Sequence, residues 1–148
     1  MNKPTTGIAV DGSTRGNPGP SEYIGIDLSS GKTLFYQRIG IATNNITEFI
    51  ALGHAILYAL QKNKDQQTIY TDSQTAISWV KKKSINSTLP ESPRTGTARD
   101  YAKRILDKLK DISVIYNGID LIINNQITVT KWYTSIYGEI PADFGYKK

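Results

Sequence analysis

The sequence lacks cysteine altogether and has a single histidine among its 148 residues. The absence of cysteine excludes disulfide bonds, zinc–thiolate sites and a cysteine nucleophile. The one histidine, His54, cannot form a histidine-rich metal cluster. No apolar run approaches the roughly 20 residues that a membrane-spanning helix needs, and Met1–Pro4 does not open the apolar core of a signal peptide. These absences predict a cytoplasmic protein with no membrane partner.

Acidic residues are outnumbered by basic ones, 13 against 18, which gives a formal net charge of +5. A basic balance favours a polyanionic partner, because each contact with a phosphate releases counterions. Three lysines are consecutive at Lys81–Lys83. They could contact a nucleic-acid backbone or simply form the solvated end of a helix, and the sequence does not decide between these two roles. The length suits one domain over residues 1–148 with one core, and the sequence gives no sign of an obligate protein partner.

Short or alternating apolar runs predict strands, and apolar residues at helical spacing predict helices. The predicted strands are Gly7–Val10, Tyr23–Leu28, Thr33–Ile41, Thr68–Thr71 and Ile127–Trp132, and the predicted helices are Ile46–Lys62, Gln74–Lys82 and Ala98–Lys110. A meander of three strands followed by a strand–helix–strand crossover predicts an α/β fold, in which helices flank a five-stranded mixed sheet.

Residues 111–125 allow two predictions. Asn117-Gly118 between apolar runs is a hairpin signal. Isoleucines at helical spacing favour a helix instead, which is the prediction preferred here: Ile112, Ile115, Ile119 and Ile122. The tail, Tyr133–Lys148, is expected to be mostly irregular.

Three acidic residues lie where an apolar element meets a polar turn. Asp11 is predicted to end the first strand before a turn over Gly12–Pro20, Glu48 to lie in the first turn of the first helix, and Asp72 to end the fourth strand. Carboxylates that converge at strand ends can hold Mg²⁺, which prefers oxygen ligands. Taken singly, each acid also suits a turn, helix-dipole or capping role. A carboxylate metal site is therefore one option among several.

The local sequences around these acids resemble the signatures of cellular ribonucleases H. The first signature is matched by Asp11–Ser13 followed by Gly16–Pro20, the second by Thr43–Asn45 followed by Glu48, and the third by Tyr70–Gln74. They occur in the order and at the spacing of that family. The resemblance implies a ribonuclease H-like fold and an endonuclease that cleaves the RNA strand of RNA–DNA hybrids, leaving 5′-phosphate and 3′-hydroxyl ends.

The resemblance also implies the metal ligands. Asp11, Glu48 and Asp72 match three of the family's four carboxylates, which hold two Mg²⁺ ions, with Mn²⁺ as an alternative ion. The fourth is expected shortly after the last strand. The stretch from Gly138 to Asp143 is similar to the corresponding part of the family, so Asp143 is the candidate and Glu139 the alternative. For Asp143 to serve, the tail must be ordered, and the apolar residues available to pin it are Trp132, Tyr133, Ile136, Tyr137 and Phe144.

Substrate contacts carried over from the family fall on the same three signatures. Short amides can both donate to and accept from a ribose 2′-hydroxyl, the group that distinguishes RNA from DNA. Asn17 matches an RNA-reading position and Thr43 a position that helps to hold a DNA phosphate, whereas Asn44 or Asn45 could instead cap the first helix. The implied contacts are Gly12, Ser13, Asn17, Thr43, Asn44, Asn45, Ser73 and Gln74.

The sequence departs from the family in two respects. Many members carry a mobile histidine after the last strand, but residues 132–137 contain none, and His54 in the first helix is expected to be structural. The family's final helix is also not expected here, because only Phe144–Lys148 follow Asp143. In both respects the sequence resembles a bacterial subgroup that lacks this histidine and this helix.

Three other functions compete with this prediction. A binding module of the same fold would hold hybrids without cutting them, although all four candidate carboxylates are present. A nuclease for structured DNA or an integrase-like transferase would share the acidic cluster but not the Gly16–Pro20 and Asn44-Asn45 segments. A purely structural α/β protein would carry the acids by coincidence.

Overall fold

The structure is a computed structural model that describes residues 2–62, 67–86 and 89–144. The strands in these ranges are β1 (Ile8–Thr14), β2 (Gly19–Asp27), β3 (Thr33–Ala42), β4 (Gln67–Thr71), β5 (Val114–Tyr116), β6 (Leu121–Ile123) and β7 (Ile127–Lys131). The helices are α1 (Asn44–Gln61), α2 (Gln74–Lys82), α3 (Gly96–Leu109) and α4 (Thr134–Tyr137), and a 3₁₀ turn at Pro93–Thr95 precedes α3. Within the described ranges, no helix is long and apolar enough to span a bilayer.

All the described strands belong to one mixed sheet in the order β3-β2-β1-β4-β7-β6-β5. β4 is parallel to both of its neighbours, β1 and β7, and the remaining pairs are antiparallel. The predicted α/β class with a mixed sheet and flanking helices is confirmed. The predicted strand number is wrong, because this sheet has seven strands rather than five.

The two extra strands come from residues 111–125, where the preferred helix prediction is wrong. β5 and β6 form an antiparallel hairpin, with Val114 opposite Ile123. Gly118 adopts a φ of +97° in the turn, a conformation open to glycine, and the Asn117 side-chain oxygen accepts hydrogen bonds from the N–H groups of Ile119 and Asp120. The helical spacing of the isoleucines is a coincidence, since alternate residues of β6 are buried as in a half-covered strand.

The predicted turn over Gly12–Pro20 is too long. β1 continues three residues past Asp11, and its pairing with β2 runs without interruption from Ile8↔Asp27 to Thr14↔Ser21. Asp11 therefore lies inside a strand rather than at its end. The helix that follows β3 is capped by Thr43, whose side chain accepts from the Ile46 N–H, and not by Asn44 or Asn45 as predicted.

Apolar side chains cover both faces of the sheet. α1, α2 and α3 pack on one face, where α1 has eleven buried residues between Ile46 and Ala59. The opposite face is covered by the segment after β7, in which Trp132, Ile140 and Ala142 pack against Ala9 of β1. Of the tail residues expected to pin this segment, Tyr133 and Ile136 are exposed, so this part of the prediction is wrong for them.

The contact between α1 and α3 is close at Gly53. A Cβ at this position would overlap Cγ2 of the buried Ile105 and lie 3.0 Å from its Cδ1. Overpacking costs about 1–3 kcal/mol, which outweighs the gain of about 1 kcal/mol in helix propensity on replacing glycine. We therefore expect Gly53→Ala to lower the free energy of unfolding by about 1 kcal/mol in urea denaturation.

The matched control is Gly96→Ala at the first residue of α3, where a Cβ would meet nothing within 4 Å. This variant should be as stable as the parent or more stable. Equal stability of the two variants would contradict the close α1–α3 contact.

Candidate active site

Two aspartates lie side by side because their strands are parallel neighbours. Asp11 lies within β1, and Asp72 directly follows β4. The β1–β4 register pairs Ala9 with Tyr70, and two residues further along it aligns Asp11 with Asp72. The two aspartates are thus carried by neighbouring strands in the middle of the sheet.

Glu48 reaches the same edge of the sheet from α1. The helix begins at Asn44, so Glu48 lies in its second turn. The prediction that Glu48 lies in the first turn is wrong. Stabilisation by the helix dipole falls off beyond the first turn, so that role does not account for this glutamate. The Gly12 N–H of β1 donates a hydrogen bond to Glu48 Oε1, which holds the carboxylate against the strand that carries Asp11.

The three carboxylates form a compact set of oxygen ligands. Asp11, Glu48 and Asp72 each offer an oxygen within 4.8 Å of the other two. Asp11 is 0% and Glu48 3% exposed, and Asp72 is half-buried. Neighbouring buried carboxylates repel one another and are poorly solvated, and a divalent cation between them offsets both penalties. Mg²⁺ favours such hard oxygen ligands, so the residues present fit a metal site.

Gly12 allows α1 to approach β1 this closely. A Cβ at position 12 would lie 2.7 Å from Cγ2 of Thr47 and 2.8 Å from Oε1 of Glu48. Any side chain here would push the helix away from the strand. The glycine of the first signature is thus explained by packing beside the carboxylates.

The first and second signatures are joined by a hydrogen bond. The side-chain oxygen of Asn17 accepts from the backbone N–H of Asn44 at 2.9 Å, and Thr43 caps the helix that begins there. Asn17 and Asn45 are exposed, while Asn44 is half-buried. The loop after β1 and the start of α1 therefore form one surface beside the carboxylates.

The third signature begins α2 at the same edge. Ser73 caps this helix, its hydroxyl accepting from the Ala76 N–H at 3.0 Å, and Gln74 is exposed at the first helical position. Two other predicted contacts lie inside the protein: Ser13 is fully buried, and the N–H of the buried Gly12 is used by Glu48.

The segment after β7 crosses the face of the sheet towards β3. Trp132 is fully buried, and its ring N–H donates to the Gly138 carbonyl at 2.9 Å. Further along, Ala142 packs with Ala9, and the ring of Phe144 lies edge-on to that of Tyr36, with centroids 6.1 Å apart.

These contacts decide where the tail carboxylates lie. Asp143 is half-buried between Ala142, which packs on β1, and Phe144, which contacts β3. Ala9 and Asp11 alternate with Val10 and share this face of the sheet. Glu139, the alternative, is exposed. Neither residue belongs to the set of oxygens within 4.8 Å of one another.

Residues 3–118 match the RNase H family. The chain belongs to the RNase H family. The match covers more than half of the chain and includes Asp11, Glu48 and Asp72, whereas Asp143 lies outside it. The protein is therefore a metal-dependent hydrolase, a ribonuclease H acting on RNA–DNA hybrids.

Solved structures similar to this ribonuclease H include three that represent different sources. RNase H1 of the halophilic archaeon Halobacterium salinarum is 22% identical, with 91% of this chain and 90% of that chain covered and a TM-score of 0.48. LC11-RNase H1, solved in complex with an RNA/DNA hybrid, is 21% identical, with 88% and 86% covered and a TM-score of 0.45. The N-terminal RNase H domain of a Mycobacterium tuberculosis protein is 22% identical, with 70% and 76% covered and a TM-score of 0.43.

The ribonuclease H has a further buried carboxylate near the site that sequence reasoning missed. Glu22 of β2 is 8% exposed and lies opposite Ser13 of β1. It accepts a hydrogen bond from the Tyr36 hydroxyl and lies 3.8 Å from Nε of Arg38. The sequence carries no local sign of it, because the predicted strand begins at Tyr23 and none of the three signatures includes Glu22.

His54 is half-buried on α1 and does not lie among the carboxylates. The Tyr23 hydroxyl is 2.6 Å from its Nδ1, and the Phe35 ring stacks on the imidazole with centroids 4.0 Å apart. Burial lowers the pKa of His54 below its usual value of 6.5, which favours the neutral ring. These contacts agree with the expected structural role.

The close approach at Gly12 gives a test of the site geometry. We expect Gly12→Ala to displace Glu48 and to lower hybrid cleavage by about 100-fold, since a shift of about 1 Å at a reacting centre can cost that much. Cleavage rates with labelled hybrid check this, and far-ultraviolet circular dichroism should show that the fold is retained.

Gly96→Ala, which meets no atom, serves here as the control and should retain full activity. Parent-like activity in Gly12→Ala would mean that Glu48 does not need this contact.

Proposed function

We propose that this ribonuclease H hydrolyses the RNA strand of RNA–DNA hybrids with two Mg²⁺ ions, leaving 5′-phosphate and 3′-hydroxyl ends. The observation that carries the proposal is the convergence of Asp11, Glu48 and Asp72 within 4.8 Å at one edge of the sheet. Membership of the RNase H family supports the same class of substrate.

Asp11, Glu48 and Asp72 would hold the metal, with Asp143 as the fourth ligand. Two such ions would supply an activated water and would neutralise charge on the leaving oxygen. Mn²⁺ is an alternative ion at an all-oxygen site. The chain itself fixes the ligand positions: the β1–β4 pairing sets the two aspartates, and the Gly12 N–H orients Glu48.

Asp143 is proposed over Glu139 because of its position. It is half-buried on the face of the sheet that Asp11 shares with Ala9, and packed residues stand on both sides of it. Its own N–H donates to the Ile140 carbonyl at 2.9 Å, which fixes the turn leading to it. Glu139 is exposed before that turn.

RNA would be selected by the polar groups around the carboxylates. The exposed amides of Asn17, Asn45 and Gln74 suit contacts with ribose 2′-hydroxyls, as do the half-buried Asn44 and Ser73, whose hydroxyl still has a proton to donate while it caps α2.

The other predicted contacts would act through the backbone or on the DNA strand. The Thr43 hydroxyl accepts from Ile46 N–H at 3.3 Å and keeps its proton for a DNA phosphate. Gly12 and Ser13 are buried, so their contribution would be to shape the surface on which the RNA lies.

Asp11→Asn tests the reaction. We expect a loss of hybrid cleavage of at least about 1000-fold, because a neutral amide is a poor ligand for Mg²⁺ at a site whose ions supply most of the catalysis. Binding of the hybrid should survive. Rates of cleavage of labelled hybrid with Mg²⁺, and with excess chelator, provide the measurement, and the product ends are read by phosphatase and ligase treatment.

Asp100→Asn, an exposed acid on α3, is the matched control and should be fully active. Double-stranded DNA and double-stranded RNA should resist cleavage by the parent. Strong activity of Asp11→Asn, or cleavage of all-DNA duplex at the rate of hybrid, would contradict the proposal.

The fourth ligand is tested by Asp143→Asn and Glu139→Gln side by side. We expect Asp143→Asn to lower cleavage strongly, though less than Asp11→Asn, because water can partly replace a peripheral ligand. Titration with Mn²⁺, followed by the paramagnetic resonance of free ion, should show weaker binding only in the Asp143 variant. If only Glu139→Gln is impaired, the tail ligand has been assigned to the wrong carboxylate.

A further inference from the structure

The β5–β6 hairpin extends the sheet on the side of Asp72. β7 is parallel to β4, and β6 and β5 each reverse direction in turn. The turn that follows β5 therefore lies at the same edge of the sheet as Asp72, and Tyr116, level with Ile69, lies a few residues below it. Three strand spacings of about 4.8 Å separate β4 from β5, so the hairpin end lies about 14 Å from that aspartate along the edge.

α2 spans this distance on one side of the sheet. It begins at Ser73, beside the carboxylates, and near its other end Nζ of Lys81 lies 4.0 Å from the centroid of the Tyr116 ring. A second lysine–aromatic pair lies between these points, where Nζ of Lys131 at the end of β7 is 5.7 Å from the Tyr133 ring. These two pairs and Ile119, in the hairpin turn, are here together named the ledge: Lys81, Tyr116, Ile119, Lys131 and Tyr133.

The ledge is apolar and aromatic where it meets solvent. Ile119, in the hairpin turn, is 80% exposed, and Tyr116 and Tyr133 are 47% and 46% exposed. Isolated apolar side chains are common on protein surfaces, but a cluster of them beside lysines is typical of a binding surface. Asp120, the acidic residue that follows Ile119 in the sequence, is half-buried at the turn.

The lysine run Lys81–Lys83 divides between two roles. Nζ of Lys83 donates to the Ile112 carbonyl at 2.6 Å and so supports the start of the hairpin segment. Lys81 instead faces the Tyr116 ring and remains exposed at the ledge. The sequence left phosphate contact and solvation of a helix end open for this run. Lys83 has neither role, because its ammonium donates to a backbone carbonyl, and both stay open for Lys81.

We propose that the ledge binds one flank of the RNA–DNA hybrid, outside the base pairs held at the carboxylates; this inference rests on the proposed function. Lys81 and Lys131 supply the charge that attracts phosphates. Tyr116, Tyr133 and Ile119 supply rings and apolar surface against sugars and bases. At about 3.4 Å per base pair, a hairpin about 14 Å away meets the duplex about four base pairs from the cleaved phosphate.

The family match ends at residue 118, in the hairpin turn. Lys81 and Tyr116 of the ledge lie within the matched region, and the other three ledge residues lie beyond it. The ledge would give this ribonuclease H a longer footprint on its substrate than the three signatures alone provide.

The test uses hybrids with a single cleavable block of ribonucleotides in an otherwise DNA strand. One substrate has long flanks on both sides, and two others are trimmed on one flank or the other to about three base pairs, too short to reach the hairpin. Affinity is measured by fluorescence anisotropy in chelator, and KM and kcat are measured in Mg²⁺.

The ledge variants are Tyr116→Ala and Ile119→Ser, and Ile115→Ser is the matched control. Ile115 is 53% exposed on the same hairpin but alternates with Tyr116 and points to the opposite face. For the parent, trimming one particular flank should weaken binding and raise KM about fivefold, the usual scale of one stacked contact. Each ledge variant should bind the long hybrid about fivefold more weakly, with kcat unchanged, and bind the substrate lacking that flank as the parent does.

Three outcomes would overturn the proposal. The parent could be insensitive to trimming of either flank, or the ledge variants could lose affinity equally for all three substrates, or Tyr116→Ala could convert a dimer to a monomer in sedimentation, which would make the hairpin an interface between copies. Because affinity is measured in chelator, a protein that cleaves no hybrid would contradict the proposed function and leave the test of the ledge intact.

Discussion

The parallel pairing of β1 with β4 is the constraint on which the site depends. It brings Asp11 and Asp72 to the same edge of the sheet. A slip of one residue in β1 would turn Asp11 to the other face of the sheet. The antiparallel pairing of β1 with β2 along seven residue pairs holds the register on the other side. Because Gly12 has no side chain, α1 can approach β1 closely enough for Glu48 to reach this edge.

Both helices that border the carboxylates begin there. Thr43 caps α1 and Ser73 caps α2, so the polar side chains of the second and third signatures are N-terminal helix residues. The N-terminus of a helix has unpaired N–H groups and a partial positive charge, which favour anions. The N-termini of α1 and α2 thus favour binding of a phosphate at this edge of the sheet, whereas the buried carboxylates beside them favour binding of cations.

Sequence reasoning succeeded where local pattern and tertiary environment agree. The apolar residues at helical spacing in α1 and the short apolar run of β4 face the core. The three signatures pointed to Asp11, Glu48 and Asp72, which the fold brings together. It failed at the β5–β6 hairpin, where isoleucines happen to recur at helical spacing. Helix and hairpin are both compatible with this local sequence, and the pairing of β6 with β7 selects the hairpin. It also placed the end of β1 too early, because the polar residues after Asp11 resemble a turn while β2 is what keeps them extended. Glu22 carried no local signal, since its partners come from β3.

The covering of the sheet's second face has a consequence for the order of folding. Ala9 of β1 is shielded by Trp132, Ile140 and Ala142, which are made by the ribosome long after β1 has emerged. Contacts between residues so distant in sequence form late and slow the folding of a domain. Until the segment after β7 has been synthesised, the nascent sheet presents an apolar surface on that side, which is the condition under which chains associate wrongly or recruit chaperones.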